Sequence, residues 1–350
     1  MELFIADAIR SQNIEYDVKI ITIMLDDDLQ EVFKLIKRYT SASPVLLWET
    51  LSSKSVSYIK KCMDFATLLR RESMSLLFVG GYWASTVGKY FREFQIFDGI
   101  IEGYSIEKIA EVLSRNTFSQ NGKIIDALGP IDWNRYDLPI DSLEDPYKYF
   151  DRSNKFISGY LSSIGCPNSC SFCYNSVLKK IGVEYSERSL EKVKVDIDIL
   201  DKTYGFKTIQ FKDLNFFYNP RRAFMILDFL KSNGKSIQCA VDITVKDSTE
   251  EIFSKLKKYN INEVWIGLES FRQKSLEIMN KDYDVNKLED IFYWADKYRI
   301  FIFGNIMLGA PWQDKEYIDA TIRKALYLSL IHISEPTRPL YISYAVFCLK

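Results

Sequence analysis

The chain has 350 residues, of which 47% are hydrophobic and 15% are aromatic, enough for a sizeable core and too many for a disordered chain. Lys and Arg total 46 against 47 Asp and Glu, so no overall charge bias indicates nucleic acid or a membrane surface as a partner. Residues 1–10 lack the pattern of a signal peptide, and no apolar run approaches the roughly 20 residues of a membrane helix. These features predict a cytoplasmic protein without a membrane segment.

Residues 18–115 alternate short apolar runs with amphipathic segments, a pattern typical of a parallel sheet covered by helices. The expected strands are Val18–Leu25, Pro44–Trp48, Leu76–Val79 and Asp98–Ile101. The expected helices are Leu29–Tyr39, Ser55–Leu69 and one that begins near Ser105. We therefore predict a Rossmann-like domain over residues 1–115. A linker is expected over residues 116–154, where Pro130, Pro139 and Pro146 interrupt the pattern.

Residues 155–327 alternate again and predict five βα units. The expected strands are Lys155–Leu161, Thr208–Phe211, Ile237–Val241, Glu263–Leu268 and Ile300–Leu308. The expected helices are Ser189–Tyr204, Pro220–Ser232, Thr249–Tyr259 and Val285–Tyr298. Repeated βα units predict a closed or partly closed barrel whose chemistry lies at the carboxyl ends of its strands. The fold class is therefore α/β, with a parallel sheet followed by a partial barrel.

The segment Leu328–Lys350 resembles translated sequencing-adapter DNA, because two adapter pieces can be read in the expected order. A genuine short C-terminal strand is the alternative. If the resemblance holds, the natural gene is interrupted near Tyr327, after about five barrel strands, and the fragment can be inactive. The only histidine, His332, lies in this tail. The rest of the chain therefore has no Ser–His or Cys–His nucleophile system.

Three of the six cysteines lie within eight residues, in the sequence GCPNSCSFCYN over residues 165–175. Cys166, Cys170 and Cys173 follow directly after the first predicted barrel strand. Three thiolates on one short loop can hold three irons of a cubane cluster and leave the fourth iron open to another ligand. A structural zinc site and a plain electron-transfer cluster are the alternatives, but their fourth position is normally filled by Cys or His.

The spacing C-x-x-x-C-x-x-C, with the aromatic Phe172 before the third cysteine, resembles the signature of the radical S-adenosylmethionine (SAM) superfamily. The resemblance covers about residues 155–327 and implies a [4Fe–4S] cluster whose open iron binds SAM. Reductive cleavage of SAM would then give a 5′-deoxyadenosyl radical that abstracts a hydrogen from the substrate. An electron donor such as flavodoxin or ferredoxin is implied as a partner. No catalytic residue beyond the cofactor ligands is expected, because the cofactor carries the radical chemistry.

Further motifs resemble SAM-contacting segments of this superfamily. Asp213 and, second, Asn215 stand where many members bind the SAM ammonium group, and a plain loop carboxylate is the alternative. Glu269 and Ser270 resemble a G-x-E-S motif that precedes Met279-Asn280-Lys281; the alternative is a structural helix cap. Gly309 resembles a turn beside the adenine. Asp242 stands where relatives often have Arg, and no role is assigned to it.

The sequence GGYWAS after the third predicted strand resembles a loop of cobalamin-binding domains. Gly80 and Gly81 of this loop, with Thr50 and Leu51 upstream, would surround the cobalamin tail at the strand ends, where open parallel sheets bind their ligands. The Asp-x-His-x-x-Gly element of many such domains is absent. A flavodoxin-like domain that holds no cobalamin is therefore the alternative.

These resemblances predict a radical SAM enzyme, with cobalamin-dependent methyl transfer as the expected reaction. The alternatives are a rearrangement or cyclisation enzyme without cobalamin and, in another class, a non-catalytic [4Fe–4S] electron carrier. The substrate, a small molecule or a peptide, is not indicated by the sequence.

Overall fold

The computed structural model describes residues 2–12, 18–21, 27–38, 44–49, 56–72, 76–114, 122–145, 150–180, 182–237, 240–328, 330–334 and 343–349. The chain divides into two compact units. The first comprises Met1–Lys148 and Val177–Ser186, and the second comprises Tyr149–Ser176 and Glu187–Lys350. Within the ranges given above, no helix combines the length and the apolar character needed to cross a membrane.

The first unit alternates helices and strands as expected. Its elements are α1 (Glu2–Gln12), α2 (Leu29–Lys37), β1 (Val45–Glu49), α3 (Val56–Glu72), β2 (Leu77–Gly81), α4 (Tyr82–Phe91), β3 (Gly99–Gly103), α5 (Ile106–Ser114) and β4 (Lys123–Ala127). The strands lie in the order β1-β2-β3-β4 and all pairs are parallel. The predicted parallel sheet is confirmed, and its side chains pack against the apolar faces of α2 and α3.

Two features of this unit differ from the predicted elements. β4 lies within the predicted linker and pairs with β3 over five residues, from Gly99↔Lys123 to Gly103↔Ala127. Lys123 and Asp126 of this strand are exposed and charged, so it lacks the continuous apolar run that indicates the other strands of the sheet. Most of the predicted strand Val18–Leu25 lies outside the described residues, and only an isolated bridge from Ile20 to Leu143 is seen there.

The second unit and the junction carry the remaining elements. These are β5 (Phe150–Asp151), β6 (Phe156–Tyr160), β7 (Ser163–Ile164), α6 (Tyr174–Lys180), β8 (Ser186–Glu187), α7 (Leu190–Tyr204), β9 (Thr208–Phe211), α8 (Pro220–Ser232), β10 (Ser236–Ile237), β11 (Ala240–Ile243), α9 (Glu250–Leu256), β12 (Glu263–Glu269), α10 (Gln273–Ile278), α11 (Lys287–Tyr298), β13 (Phe301–Leu308), α12 (Lys315–Tyr327), β14 (Leu330–Ser334) and β15 (Ser343–Leu349).

Nine of these strands form two sheets, ordered β10-β9-β6-β5 and β11-β12-β13-β15-β14. The pairs β6–β9, β9–β10, β11–β12 and β12–β13 are parallel, as a partial barrel requires. Alternate residues of β12 and β13 are buried and half-buried, so each strand has one fully covered face and one more open face. We call the more open face the inner face.

The segment that resembles adapter DNA forms β14 and β15, and β15 pairs antiparallel with β13. The pairs β13–β15 and β14–β15 are therefore antiparallel, whereas β11–β12 and β12–β13 in the same sheet are parallel. The adapter interpretation of Leu328–Lys350 stays a prediction.

Candidate functional site

The three cysteines lie on one loop between β7 and α6. Cys170 is buried, while Cys166 and Cys173 are half-buried. The loop is a tight turn, because the backbone N–H of Cys173 donates to the carbonyl of Cys170 at 3.1 Å. Ser176 closes the turn from α6, donating its hydroxyl to the same carbonyl at 2.6 Å and its N–H to the carbonyl of Cys173 at 3.0 Å. The three thiols are thus presented by one ordered segment.

The cysteine loop is held by the residues that follow α10. Ser171 donates its backbone N–H to the carbonyl of Met279 at 2.9 Å and its hydroxyl to the carbonyl of Ile278 at 3.1 Å. Asn280 returns a hydrogen bond from its side-chain amide to the carbonyl of Ser169 at 2.7 Å. The Met279-Asn280-Lys281 motif therefore acts as the support of the loop, and this contact brings the next residue, Lys281, to the site.

Lys281 connects the loop to the end of β12. Its Nζ lies 3.3 Å from Glu269 Oε1 and 3.3 Å from the carbonyl oxygen of Gly267. The same Nζ lies 5.9 Å from the centroid of the Phe172 ring, within range of a cation–π interaction. Phe172 and Glu269, predicted separately from their motifs, are therefore brought together by one cation.

Glu269 combines three unusual features for a carboxylate. Its side chain is buried, its backbone has a φ of 57°, and the register of β12 against β13 shifts between Gly267 and Glu269. A left-handed backbone is unfavourable for a residue other than glycine and occurs mainly at functional sites. Oε1 faces Lys281, but Oε2 is buried without a hydrogen-bond partner among the described residues. An unpartnered buried oxygen costs free energy unless a ligand supplies a donor.

Burial and the charge of Lys281 act in opposite directions on the pKa of two acidic groups. Burial raises the pKa of the Cys170 thiol, and the positive charge of Lys281 opposes that rise. Burial also raises the pKa of Glu269, and Lys281 again opposes it. One lysine thus favours the anionic form of a thiol and of a carboxylate in the same small region.

Ser270 and Gly309 have different surroundings. The Ser270 hydroxyl is fully buried, lies 2.5 Å from the hydroxyl of Tyr317, and accepts the backbone N–H of Arg272 at 2.9 Å. It holds the turn that follows β12. Gly309 has a φ of 86°, a conformation that glycine adopts readily, at the turn after β13. Their SAM-contacting roles stay predictions.

Asp213 faces the start of the cysteine loop. Its Oδ2 accepts the N–H of Ser162 at 3.0 Å, and its Oδ1 accepts the hydroxyls of Ser162 at 2.8 Å and of Ser163 at 2.5 Å. Burial raises the pKa of Asp213, although these hydrogen bonds oppose the rise. Arg222 of α8 donates to the Ser162 carbonyl at 2.8 Å. Asp213 therefore supports the segment before the cysteines, and its contact with SAM stays a prediction.

Asn215 is buried beyond Asp213. Its amide N–H donates to Asp247 Oδ2 at 2.6 Å, and its Oδ1 has no partner among the described residues. Its predicted role as a second SAM contact is not tested by these contacts. The sequence alone indicates no role for Ser162, Arg222 or Lys281, because each contacts residues that are distant along the chain.

The residues predicted to surround cobalamin are only partly described. Thr50 and Leu51 lie outside the described residues. Gly80 and Gly81 end β2, where Gly81 has a φ of 105°. A Cβ on Gly80 would lie 2.6 Å from the Trp48 ring, so the strand end has room for glycine alone.

The donor set determines what the cysteine loop can hold. Among the described residues, no three His, Cys, Asp or Glu side chains converge on a position for a single metal ion. A cubane cluster takes one thiolate on each of three irons, so its ligands stand farther apart than those of one ion. Three thiols on one turn fit such a cluster. The adjacent lysine and the buried Glu269 Oε2, which has no partner within the described ranges, fit a further ligand.

Comparison with known proteins identifies one domain of the chain. Residues 160–325 match the model described as the radical SAM superfamily. These residues are a radical SAM domain. The domain includes the three cysteines, Phe172, Asp213 and Glu269, and membership of this superfamily implies a [4Fe–4S] cluster and SAM as cofactors.

Two curated archaeal proteins are similar in sequence to the chain. An uncharacterized methyltransferase, PH0819 of Pyrococcus horikoshii, is 24% identical over 331 residues, covering 90% of this chain and 71% of the relative. An uncharacterized protein, MJ0486 of Methanocaldococcus jannaschii, is 27% identical over 185 residues, covering 49% of this chain and 56% of the relative.

Solved structures share the fold of the chain. The radical SAM methyltransferase TsrM of Kitasatospora setae, solved with tryptophan substrate and a SAM analogue, superposes with a TM-score of 0.67 and 15% identity, covering 93% of this chain and 68% of TsrM. The cobalamin-dependent SAM radical enzyme OxsB, solved with aqua-cobalamin, superposes with a TM-score of 0.63 and 12% identity, covering 92% of this chain and 49% of OxsB. The expected α/β fold, a parallel sheet followed by a partial radical SAM barrel, is confirmed.

Proposed function

We propose that the chain is a cobalamin-dependent radical SAM methyltransferase. The observation that carries the radical SAM part is the docking of the three-cysteine loop on residues 278–281, beside the buried Glu269. Methyl transfer is supported by the name of the relative PH0819 and by the fold shared with TsrM and OxsB.

In this proposal the residues of the second unit bind and orient the cofactors. Cys166, Cys170 and Cys173 would hold the [4Fe–4S] cluster, whose reduction cleaves SAM and supplies the radical. The unpartnered Oε2 of Glu269 would accept a hydrogen bond from bound SAM, because its burial leaves it a strong and unused acceptor. Phe172 and Lys281 would cover the loop and exclude water from it.

The experiment that tests this function is electron paramagnetic resonance of the anaerobically reconstituted, reduced chain, with and without SAM. We expect a cubane signal that shifts when SAM is added, because an open iron accepts the new ligand. A cubane signal indifferent to SAM would support the electron carrier instead. Formation of 5′-deoxyadenosine without any retained corrinoid would support the rearrangement or cyclisation enzyme.

Glu269→Gln is expected to weaken SAM binding about tenfold, about 1.4 kcal/mol, because the amide loses an anionic acceptor beside Lys281. Equilibrium dialysis of SAM against the reconstituted protein measures the change. The matched control is Glu277→Gln, which changes an exposed glutamate on α10. Equal SAM affinity for all three proteins would remove Glu269 from the proposed site.

Gly81→Ala is expected to lower retention of hydroxocobalamin at least tenfold, since the strand end must allow close approach of the ligand to the backbone. Absorbance of the corrin after gel filtration measures retention. Gly122→Ala is the control, because Gly122 also has a positive φ, 71°, but precedes β4 at the amino end of the sheet. Equal losses in both variants would indicate backbone strain rather than a corrin site.

A further inference from the structure

Three side chains from adjacent strands form a row on the inner face of the second sheet. The register pairs Asp242 of β11 with Trp265 of β12, and Trp265 with Phe303 of β13. All three are half-buried, while their neighbours along the strands, such as Val241, Ile266 and Ile302, are buried on the other face. We call Asp242, Trp265 and Phe303 the inner row.

Asp242 is the anionic end of this row, and its carboxylate accepts no hydrogen bond from the described residues. Burial raises its pKa to about 6; the positive charge of Lys212 opposes the rise and the negative charge of Asp213 adds to it. A partly buried carboxylate without a partner is costly to retain for stability alone. It is therefore a candidate for ligand binding with a defined charge preference.

Trp265 and Phe303 supply a flat apolar surface beside this carboxylate. Their rings are stacked, with centroids 4.6 Å apart and an interplanar angle of 20°. The indole N–H of Trp265 donates to Glu263 Oε1 at 2.5 Å, which fixes the ring. Stacking covers one face of each ring. On the side of β12 away from Phe303, the neighbouring strand β11 carries Asp242 beside Trp265. A cation at this position would interact with both the carboxylate of Asp242 and the aromatic face of Trp265.

The inner row lies next to the candidate cofactor site along the same strands. Gly267, two residues after Trp265, provides the carbonyl that accepts from Lys281. Asn305, which pairs with Gly267, is half-buried on the inner face, and its side chain forms no hydrogen bond within the described ranges. A molecule bound to the inner row would thus lie near Gly267, which is two residues before Glu269 on β12.

We propose that the inner row binds the ammonium group of a small organic cation, with the charge at Asp242 and the apolar body against Trp265. This inference rests on the proposed function, because it takes the cation as the substrate of the radical SAM domain. The chemistry of the row selects an amine-bearing molecule over an anionic or purely apolar one.

The test compares two probes of opposite charge and similar shape, 2-phenylethylammonium and 3-phenylpropionate. Their binding to the full chain is measured by calorimetry at pH 7.5, before and after anaerobic cluster reconstitution. We expect the cation to bind at least tenfold more tightly than the anion. Asp242→Asn should reduce this preference to less than twofold, while Asp198→Asn, at an exposed position of α7, should leave it unchanged. Equal binding of the two probes, or an unchanged preference in Asp242→Asn, would overturn the proposal.

The pH dependence gives a second measurement that needs no variant. Asp242 is protonated as the pH falls through about 6. The preference for 2-phenylethylammonium should therefore be present at pH 7.5 and largely lost at pH 5, whereas a preference that persists at pH 5 contradicts the assignment to Asp242. Neither measurement depends on turnover. SAM cleavage without an amine preference would disprove only this inference, and an amine preference without SAM cleavage would disprove only the proposed function.

Discussion

Cys166→Ala is expected to abolish both iron–sulfur loading and SAM cleavage. A cubane cluster that takes three thiolates from one loop loses a ligand on one iron, and outside the C-terminal tail the chain has no histidine to replace it. The iron and acid-labile sulfide of the reconstituted protein, with the yield of 5′-deoxyadenosine under dithionite, measure the effect. We expect deoxyadenosine formation to fall at least about a thousandfold, about 4 kcal/mol in the barrier.

The matched control is Cys62→Ala, because Cys62 is a partly buried residue packed against the core of the first unit. This variant should keep its cluster content and its SAM cleavage. Deoxyadenosine formation at the normal level in Cys166→Ala would contradict the cluster assignment. Loss of the cluster in Cys62→Ala as well would indicate that general destabilisation explains both results.

Asp196→Ala is expected to destabilise the second unit by about 3–5 kcal/mol, because it removes the buried carboxylate that forms two hydrogen bonds with the Arg188 guanidinium. Arg188 and Asp196 are both fully buried, with Nε–Oδ2 at 2.5 Å and Nη2–Oδ1 at 2.8 Å. Tyr160 donates its hydroxyl to the same carboxylate at 2.7 Å. Since whole domains are stable by only about 5–15 kcal/mol, this loss is a large fraction of the total. Urea unfolding of the cluster-free chain measures it.

Two further variants separate loss of the ion pair from loss of packing. Asp198→Ala removes an exposed carboxylate from the same helix and should change the free energy of unfolding by less than about 0.5 kcal/mol. The double variant Arg188→Met, Asp196→Leu should recover most of the loss, because well-packed apolar residues can replace a buried pair. A double variant as unstable as Asp196→Ala would show that the carboxylate acts mainly through Tyr160 and the backbone.

The sequence predicted the elements of the second unit closely, because most of its strands are rich in β-branched and aromatic residues. Helices α7, α8 and α9 each begin after a side chain that caps the helix. Helix α8 begins and ends at the predicted residues, with Pro220 in its first turn and Asn219 as its cap. The strand predicted at Ile237–Val241 corresponds to two segments, β10, which pairs with β9, and β11, which pairs with β12. The sequence indicated no bounds for helices α1, α4, α6, α10 and α12.

The sequence indicates the site only where the functional residues lie close together along the chain. The cysteine loop and Phe172 fall within eight residues, so one motif identifies them. Lys281 acts on Phe172 and Glu269 across separate elements, and no local pattern indicates such a contact. Among the described residues, the carboxylate of Asp242 accepts no hydrogen bond, because of the side chains that the adjacent strands place beside it. This arrangement is visible only once the strand register is known.

The support of the cysteine loop has a consequence for biosynthesis. Ser169 and Ser171 are held by Asn280 and Ile278, which lie 111 and 107 residues later in the chain. During translation, all three cysteines therefore leave the ribosome well before the residues on which their loop is held. Contacts between residues this far apart along the chain form late in folding, because closing the long intervening loop costs conformational entropy. Iron delivery that waits for α10 would meet an ordered loop, whereas earlier delivery would meet three exposed thiols on a nascent chain.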